Sequence, residues 1–297
     1  MKAKRRFNIW LWVLLCVPCL LASCDHDVHS DEEESGLSVS LTWADEADQG
    51  TEVKDVKLWI FDADKGSLIE EKHYGSTEVV ASQRFELPEG TYRILTTTNL
   101  TEPFFISEQT RALTNWNNIQ IGLTNPKDVN HNAYFGVTDV RIDNKEGNYV
   151  VQNPVKSVLA ELTIIIENVP KGTEMNGKAL DCAGCLFPTQ KNSDGDYGLP
   201  GIEPTEVEVP TILATESTLQ SEVIRLMPTI QGSQASHIFL RLLLPNATLL
   251  EYDITAPVMK AGGKYELRFK LEEMQPKIYL ESDINNWKDL NKEVEIK

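Results

Sequence analysis

The sequence predicts a mostly β protein made of two tandem antiparallel β-sandwich domains. Three observations lead to this fold class. Apolar and polar residues alternate along most of the chain, as in residues 264–272, where every second residue is apolar. Turn-forming clusters such as Pro88-Glu89-Gly90 separate the alternating stretches. Strands that bury one face and expose the other are typical of antiparallel sheets packed into sandwiches, and two sandwiches suit this length better than one oversized core.

Residues 1–23 have the composition of a signal peptide. Four basic residues within the first six positions precede an apolar stretch over residues 9–21, which is too short to cross about 30 Å of hydrocarbon. The Leu-Ala-Ser-Cys sequence ending at Cys24 resembles a bacterial lipobox. This resemblance implies cleavage before Cys24 and acylation of the new N-terminal residue, with palmitate among the acyl groups. An ordinary signal peptide followed by an incidental cysteine is the alternative.

Residues 24–36 are predicted to form an acidic tether. The segment is too polar and too charged to bury a core. Its Asp, His and Glu side chains are metal-ligand types, but without a fold to position them a solvated linker is the simpler interpretation. Residues 30–34, a serine followed by four acidic residues, resemble the export signals of Bacteroidota lipoproteins, which implies the outer membrane and the cell surface.

The charge of the chain argues against a nucleic-acid partner. All 45 acidic residues and 24 of the 28 basic ones follow position 23, so the mature chain carries a formal charge of −21. Such a charge repels polyanions and anionic lipid surfaces. Contact with the membrane is therefore expected only through the lipid on Cys24.

The two predicted domains are bounded by the alternating stretches. Residues 37–153 are predicted to form the N-terminal β-sandwich and residues 154–297 the C-terminal one, with the boundary inside residues 148–156. The predicted strands lie at residues 37–42, 56–61, 85–87, 91–95, 158–166, 238–244 and 264–272.

Cys182 and Cys185 are the two cysteines that remain if Cys16 and Cys19 leave with the signal peptide and Cys24 carries lipid. In an exported protein a Cys-x-x-Cys pair often closes into a disulfide, so Cys182 and Cys185 are a candidate disulfide. A reduced pair, or redox or metal chemistry, is the alternative. Redox chemistry of the thioredoxin type needs a helix N-terminus, and zinc needs two further ligands.

The sequence contains no catalytic motif that we recognise, and it predicts a non-enzymatic protein without cofactor or metal. No metalloprotease, hydrolase or phosphate-binding signature occurs. His237 begins an apolar strand and is interpreted as a strand residue. Asn192, Asp194 and Asp196 are spaced like the opening of a calcium loop, but no flanking helix and no suitably placed Glu follow, so a polar hairpin tip is the preferred interpretation. A hydrolase with paired carboxylates on a β scaffold remains an alternative.

Four tryptophans offer a second function class, a glycan-binding lipoprotein of a polysaccharide-uptake system. Such a protein would share the signal, the tether and the sandwiches, but it would also present a row of exposed aromatic side chains. Core packing is the ordinary explanation for tryptophans on predicted strands. The four residues are Trp43, Trp59, Trp116 and Trp287.

Several segments, taken in order along the chain, resemble FimB-like fimbrial lipoproteins of Bacteroidales. The segments are residues 56–66 (an apolar strand, Phe-Asp, then Gly), residues 88–94 leading to Asn99, Tyr134-Phe135-Gly136, residues 158–166 and Asn285-Asn286-Trp287. With the lipobox, the resemblance covers most of the chain.

This resemblance implies two transthyretin-like sandwiches and the role of an anchor or accessory subunit of a type V pilus that supports adhesion. Its partners would be other fimbrial subunits, which join by exchange of β-strands. On this basis residues 264–272 and 277–297 are predicted to be the donated or exchanged strands.

Overall fold

The computed structural model describes residues 35–107, 114–126 and 129–276. It confirms the mostly β prediction, because these residues form eighteen strands, one short α-helix and three 3₁₀ turns. None of their helices is long and apolar enough to span a bilayer. Cys24, the tether before residue 35, Trp287 and the predicted strand at 277–297 lie outside the described residues.

A six-stranded sheet occupies the first part of the chain, in the order β1-β8-β7-β4-β2-β3. All neighbours are antiparallel except β1 and β8, which run parallel from Gly36 beside Asn148 to Trp43 beside Val155. The strands are β1 (Gly36–Trp43), β2 (Val56–Asp62), β3 (Leu68–Tyr74), β4 (Gly90–Thr98), β7 (Tyr134–Ile142) and β8 (Asn148–Ser157).

The hairpin between β2 and β3 follows from local turn chemistry. The Asp62 carboxylate accepts hydrogen bonds from the backbone N–H groups of Asp64 (3.0 Å) and Lys65 (2.9 Å). Gly66 adopts a φ of 67°, which a residue without a Cβ reaches without strain. The Phe-Asp, then Gly pattern of residues 56–66 therefore forms a hairpin turn.

The first core lies on one face of this sheet and is closed by the helix α1 (Thr77–Ala81). Ser76 caps the helix, and Val80 is its buried residue. Alternate residues of β1, β2 and β4 supply most of the core, as their period-two pattern predicts. The fully buried members include Leu37, Val39, Leu58, Ile60 and Ile94.

The second part of the chain forms two sheets that share one core. One sheet has the order β13-β10-β16-β17, and in the other β14 and β15 pair with one edge of β9 while β18 pairs with it in parallel. Residues of both sheets are buried in the same cluster, which is the arrangement of a sandwich. The strands are β9 (Ala160–Glu167), β10 (Glu174–Ala183), β13 (Pro204–Leu213), β14 (Thr218–Gln220), β15 (Ile224–Leu226), β16 (Ser236–Leu243), β17 (Leu249–Ala256) and β18 (Lys264–Lys270).

A fourth sheet, in the order β12-β11-β6-β5, combines strands from before and after residue 150. Its central contact pairs β6 with β11. The predicted domain boundary between residues 153 and 154 falls inside β8, and the division into domains stays a prediction. The strands are β5 (Phe104–Ser107), β6 (Gln120–Leu123), β11 (Cys185–Lys191) and β12 (Tyr197–Pro200).

Candidate interaction surface

The edges of the sheets are the first surfaces to consider, because an unpaired strand edge can add a strand from another chain. Two edge strands carry features that oppose such pairing. β13 contains Pro204 and Pro210, which have no N–H to donate, and β3 carries Glu70, Glu71 and Lys72 in succession. The edges of β13 and β3 are therefore unfavourable sites for addition of a strand.

β18 is a further edge strand, and its environment favours addition of a strand. It pairs in parallel with β9 from Lys264 beside Glu161 to Lys270 beside Glu167. Its other edge has no strand partner among the residues that the structure describes. β18 therefore completes its own sheet on one side and leaves a seven-residue ladder open on the other.

The inner face of β18 is only partly covered. Tyr265, Leu267 and Phe269 are half-buried and pack against the second core, whereas the charged residues between them are exposed. The hydroxyl group of Tyr265 makes two hydrogen bonds. It accepts one from the N–H of Lys260 (2.9 Å) and donates one to the carbonyl of Val258 (3.2 Å). A strand added beside β18 would shield apolar surface that the chain itself leaves half exposed.

The outer face of β18 carries an alternating set of ion pairs. Lys264 Nζ lies 2.6 Å from Asp45 Oδ2, and Arg268 Nη1 lies 2.6 Å from Glu167 Oε1. The hydrogen bond to Asp45 raises the pKa of Lys264, and the hydrogen bond to Glu167 raises the pKa of Arg268. These exposed pairs contribute little to stability, but they keep charge on the open edge and limit non-specific pairing.

The segment predicted to be donated is thus used differently. Residues 264–270 pair inside the chain, and releasing β18 would free the hydrogen-bonding edge of β9 and uncover the part of the second core on which Tyr265, Leu267 and Phe269 pack. The alternating pattern identified a strand but not its partner. The second predicted segment, residues 277–297, lies outside the described part of the chain.

Cys182 and Cys185 are free thiols in the structure, and their candidate disulfide stays a prediction. Cys182 is buried near the end of β10, with its sulfur 3.8 Å from the carbonyl oxygens of Ala179 and Leu180. Burial, together with the charge of Asp181, raises the pKa of Cys182 to about 12. Cys185 begins β11 and is half-buried, and burial raises its pKa as well.

The candidate calcium loop is a hairpin tip that uses its own polar side chain. The Asn192 side-chain oxygen accepts from the N–H groups of Asp194 and Asp196, both at 3.0 Å. Lys260 Nζ lies 2.5 Å from Asp194 Oδ2. Within residues 35–107, 114–126 and 129–276, no three His, Cys, Asp or Glu side chains are grouped to hold a metal ion.

Trp59 and Trp116, two of the three candidate tryptophans that lie in the described part of the chain, are not exposed on the surface. Trp59 is fully buried and Trp116 is 4% exposed, both in a cluster with Phe61, Leu95 and Ile119. The Trp116 ring lies under the guanidinium group of Arg93 at 5.3 Å. Core packing therefore explains these two residues, and the exposed aromatic row expected of a glycan-uptake protein is not formed by them. Trp43 is partly exposed at the end of β1.

The chain is similar to known proteins in sequence profile and in fold. The sequence profile of the family described as Mfa2, fimbrillin-A associated anchor proteins Mfa1 and Mfa2, matches residues 27–290. The chain belongs to this family of fimbrial anchor proteins. None of the curated protein sequences matched the chain.

Solved structures share the fold of this Mfa2-family chain at low sequence identity. A candidate adhesin from Bacteroides thetaiotaomicron VPI-5482 superposes with a TM-score of 0.58 at 11% identity, covering 82% of this chain and 93% of that chain. The fimbrial anchor protein Mfa2 from Porphyromonas gingivalis gives 0.51 at 14%, covering 74% and 81%. A candidate adhesin from Bacteroides ovatus ATCC 8483 gives 0.51 at 12%, covering 82% and 95%.

Thr98 is a buried polar residue that the sequence analysis did not identify. It ends a run of three threonines, Thr96-Thr97-Thr98, in the buried strand β4. Three hydroxyl groups in succession on a buried strand are a usable signal, because each needs a hydrogen-bond partner. Two of them have none among the described residues.

Proposed function

We propose that this Mfa2-family chain is a non-enzymatic surface protein that serves as the anchor or an accessory subunit of a type V fimbria and supports adhesion. The observation that carries the proposal is the family match over residues 27–290, nearly the whole chain after the predicted signal peptide. The β-sandwich fold and the solved structures of similar fold are consistent with it. Its partners are other fimbrial subunits.

Strand addition at the outer edge of β18 is the physical basis that we propose for subunit contact. An extended segment of another subunit would form main-chain hydrogen bonds with the open ladder, and its alternate side chains would cover Tyr265, Leu267 and Phe269. Backbone pairing supplies affinity, and the apolar side chains select the register. A protein held by lipid needs only one such contact, because its anchor prevents the filament from growing on the other side.

Attachment to the outer membrane through lipid on Cys24 is part of the proposal. The lipobox-like sequence supports cleavage before Cys24, and the acidic run at residues 30–34 supports export to the outer leaflet. More than one acyl chain is needed for stable anchoring, since one chain alone binds only marginally.

Filament analysis tests the function. Immunogold labelling of cells should place the protein at the base of filaments or along them, and deletion of the gene should leave filaments detached or shortened. A matched strain in which the protein is restored should recover them. Normal filaments without the protein, or label that never coincides with filaments, would contradict the proposal.

A further inference from the structure

The first strand of the fold is paired in a direction that suits it to carry tension. β1 and β8 run parallel over eight residue pairs, from Gly36 beside Asn148 to Trp43 beside Val155. The Gly36 end of β1 continues toward Cys24, the proposed site of the lipid, whereas β8 continues from its other end into β9 and the second sandwich. Tension between the lipid and the second sandwich would therefore pull β1 and β8 from opposite ends.

Contacts beyond the end of β1 show that the second sandwich lies at the Trp43 end of this ladder. Asp45 follows β1, and its Oδ2 lies 2.6 Å from Lys264 Nζ at the start of β18. Asn132 precedes β7, and its Nδ2 donates to Glu161 Oε1 of β9 at 3.2 Å. The chain leading to the lipid enters at the opposite end, about 23 Å away along an eight-residue strand.

Opposed pulling places the whole ladder under load at once. In a parallel pair the hydrogen bonds are evenly spaced along the two strands. When the strands are forced to slide past each other, these bonds share the load and must break together. Strands that are pulled apart from one end lose one bond at a time. The connectivity of β1 and β8 thus loads their ladder in shear, which is the more resistant geometry.

Backbone hydrogen bonds continue the ladder at both ends. The N–H of Gly36 donates to the carbonyl of Gly147 at 2.9 Å, and the N–H of Ala44 donates to the carbonyl of Val155 at 2.9 Å. Sliding β1 along β8 would therefore break bonds over the full length of the strand and one position beyond it.

β1 is also held by burial and by its second edge. Leu37 and Val39 are fully buried in the first core, and Ser38 on the other face is 5% exposed. Leu37 exchanges two backbone hydrogen bonds with Phe85, at 3.0 and 2.9 Å. Because a buried hydrogen bond is not readily replaced by one to water, extraction of β1 would lose both the ladder and its apolar contacts.

From this connectivity we propose that the β1–β8 pair is a shear clamp that carries tension between the lipid-anchored N-terminal segment and the second sandwich. The inference rests on the proposed attachment through Cys24 and on the proposed docking of another subunit at β18, because tension then enters at these two points. Survival of a protein under force depends on its rate of unfolding, and a ladder loaded in shear slows that rate.

Optical tweezers that hold single molecules at constant force test the clamp. The chain is produced without its predicted signal peptide, so that Cys24 keeps a free thiol for one handle, and Glu266→Cys on the exposed face of β18 carries the other handle. Cys185→Ser prevents attachment at that position. Burial holds the pKa of Cys182 at about 12, so this thiol does not compete for the handles.

A second attachment geometry pulls the same ladder apart from one end. Its handles are at Ala47→Cys, in the turn after β1, and again at Glu266→Cys, in a chain that carries Cys24→Ala and Cys185→Ser. β1 and β8 are then both loaded at their C-terminal ends. At the same force the folded state should last about tenfold longer in the first geometry, because several hydrogen bonds, each worth about fivefold in rate, must break together. A lifetime no longer than in the second geometry would overturn the proposal.

Two equal truncations show where the load is carried. Val39→Ala and Val209→Ala each remove two methyl groups, the first from β1 and the second from β13 in the second sandwich, and Val39 is fully buried while Val209 is 3% exposed. In the first geometry Val39→Ala should shorten the lifetime about fivefold, and Val209→Ala should leave it unchanged, because β1 is released before the second sandwich unfolds.

Urea unfolding without force shows that both alanine variants are folded before they are pulled. An effect of Val209→Ala equal to or larger than that of Val39→Ala would place the load outside the clamp and overturn the proposal. These measurements require neither lipid nor filaments. Failure of the clamp is therefore distinguishable from failure of the proposed fimbrial role, which labelling and gene deletion test separately.

Discussion

At the scale of single residues, close approach of two strands explains Gly136. A Cβ at this position would lie 2.6 Å from the carbonyl oxygen of Pro154 and 2.8 Å from Asn153 Oδ1. Asn153 is fully buried, and its Nδ2 donates to Thr96 Oγ1 and to the Gly136 carbonyl at 3.3 Å. Glycine therefore lets β7 and β8 meet around a buried amide.

Gly136→Ala should destabilise the protein by about 1–3 kcal/mol, because the added methyl group collides with backbone that cannot move freely. Urea unfolding followed by circular dichroism measures the change. Gly75→Ala is the matched control, since no described atom lies within 4 Å of its added Cβ. Equal stability of the two variants would show that β7 and β8 are further apart than the structure places them.

The two thiols should differ in reactivity. At about pH 8, iodoacetamide should modify Cys185 and spare Cys182 in the folded protein, because the thiolate is the reactive form and burial holds the pKa of Cys182 at about 12. Mass spectrometry of peptides measures the extent of modification. In denaturant without reductant, both should react if they are thiols, and neither should react if the predicted disulfide has formed.

At the scale of elements, the alternating pattern of the strand β18 gives it one apolar face and one charged face. Its apolar residues face the second core, and its charged residues form ion pairs along the exposed side. Parallel pairing with β9 places a C-terminal strand beside the strand that carries the most deeply buried residues of this core. β18 therefore stabilises the sandwich and presents its open edge.

Leu267→Ala and Arg268→Ala should have unequal effects on stability. Leu267 is half-buried, so its truncation should lower the free energy of unfolding by about 1–3 kcal/mol, below the full range for buried leucines. Arg268 makes exposed ion pairs, which contribute little to stability, so its truncation should have the smaller effect. Chemical denaturation of both variants checks the order, and a larger loss for Arg268→Ala would contradict the assigned faces of β18.

At the scale of the whole molecule, charge and anchoring act together. A chain cleaved before Cys24 would carry a formal charge of −21, which anionic surfaces repel. This charge favours the proposed attachment through lipid on Cys24 over attachment through the protein surface.

Cys24→Ala should move the protein from the membrane fraction to the soluble fraction, because the site of acylation is lost. Immunoblotting of fractionated cells measures the distribution. Cys16→Ala, a change of the same type within the predicted signal peptide, should leave the protein in the membrane fraction. A Cys24→Ala protein that stays with the membrane would refute lipid anchoring at this residue.

Sequence by itself determined the elements whose information is local. The hairpin at Asp62 and Gly66 follows from turn chemistry, and the buried faces of β9 and β18 follow from period-two alternation, because a side chain's side of a strand depends only on its position along that strand. The resemblance to FimB-like lipoproteins identified the class of protein that the family match then confirmed.

Only the tertiary structure decided which strands meet. The parallel pairs β1–β8 and β9–β18 and the sheet that joins β6 to β11 were not predicted, whereas the burial of Trp59 and Trp116 agrees with the core-packing interpretation. The backbone hydrogen bonds of a ladder are nearly the same for every sequence, so the choice of partner depends on packing between residues that are about 60 to 110 positions apart.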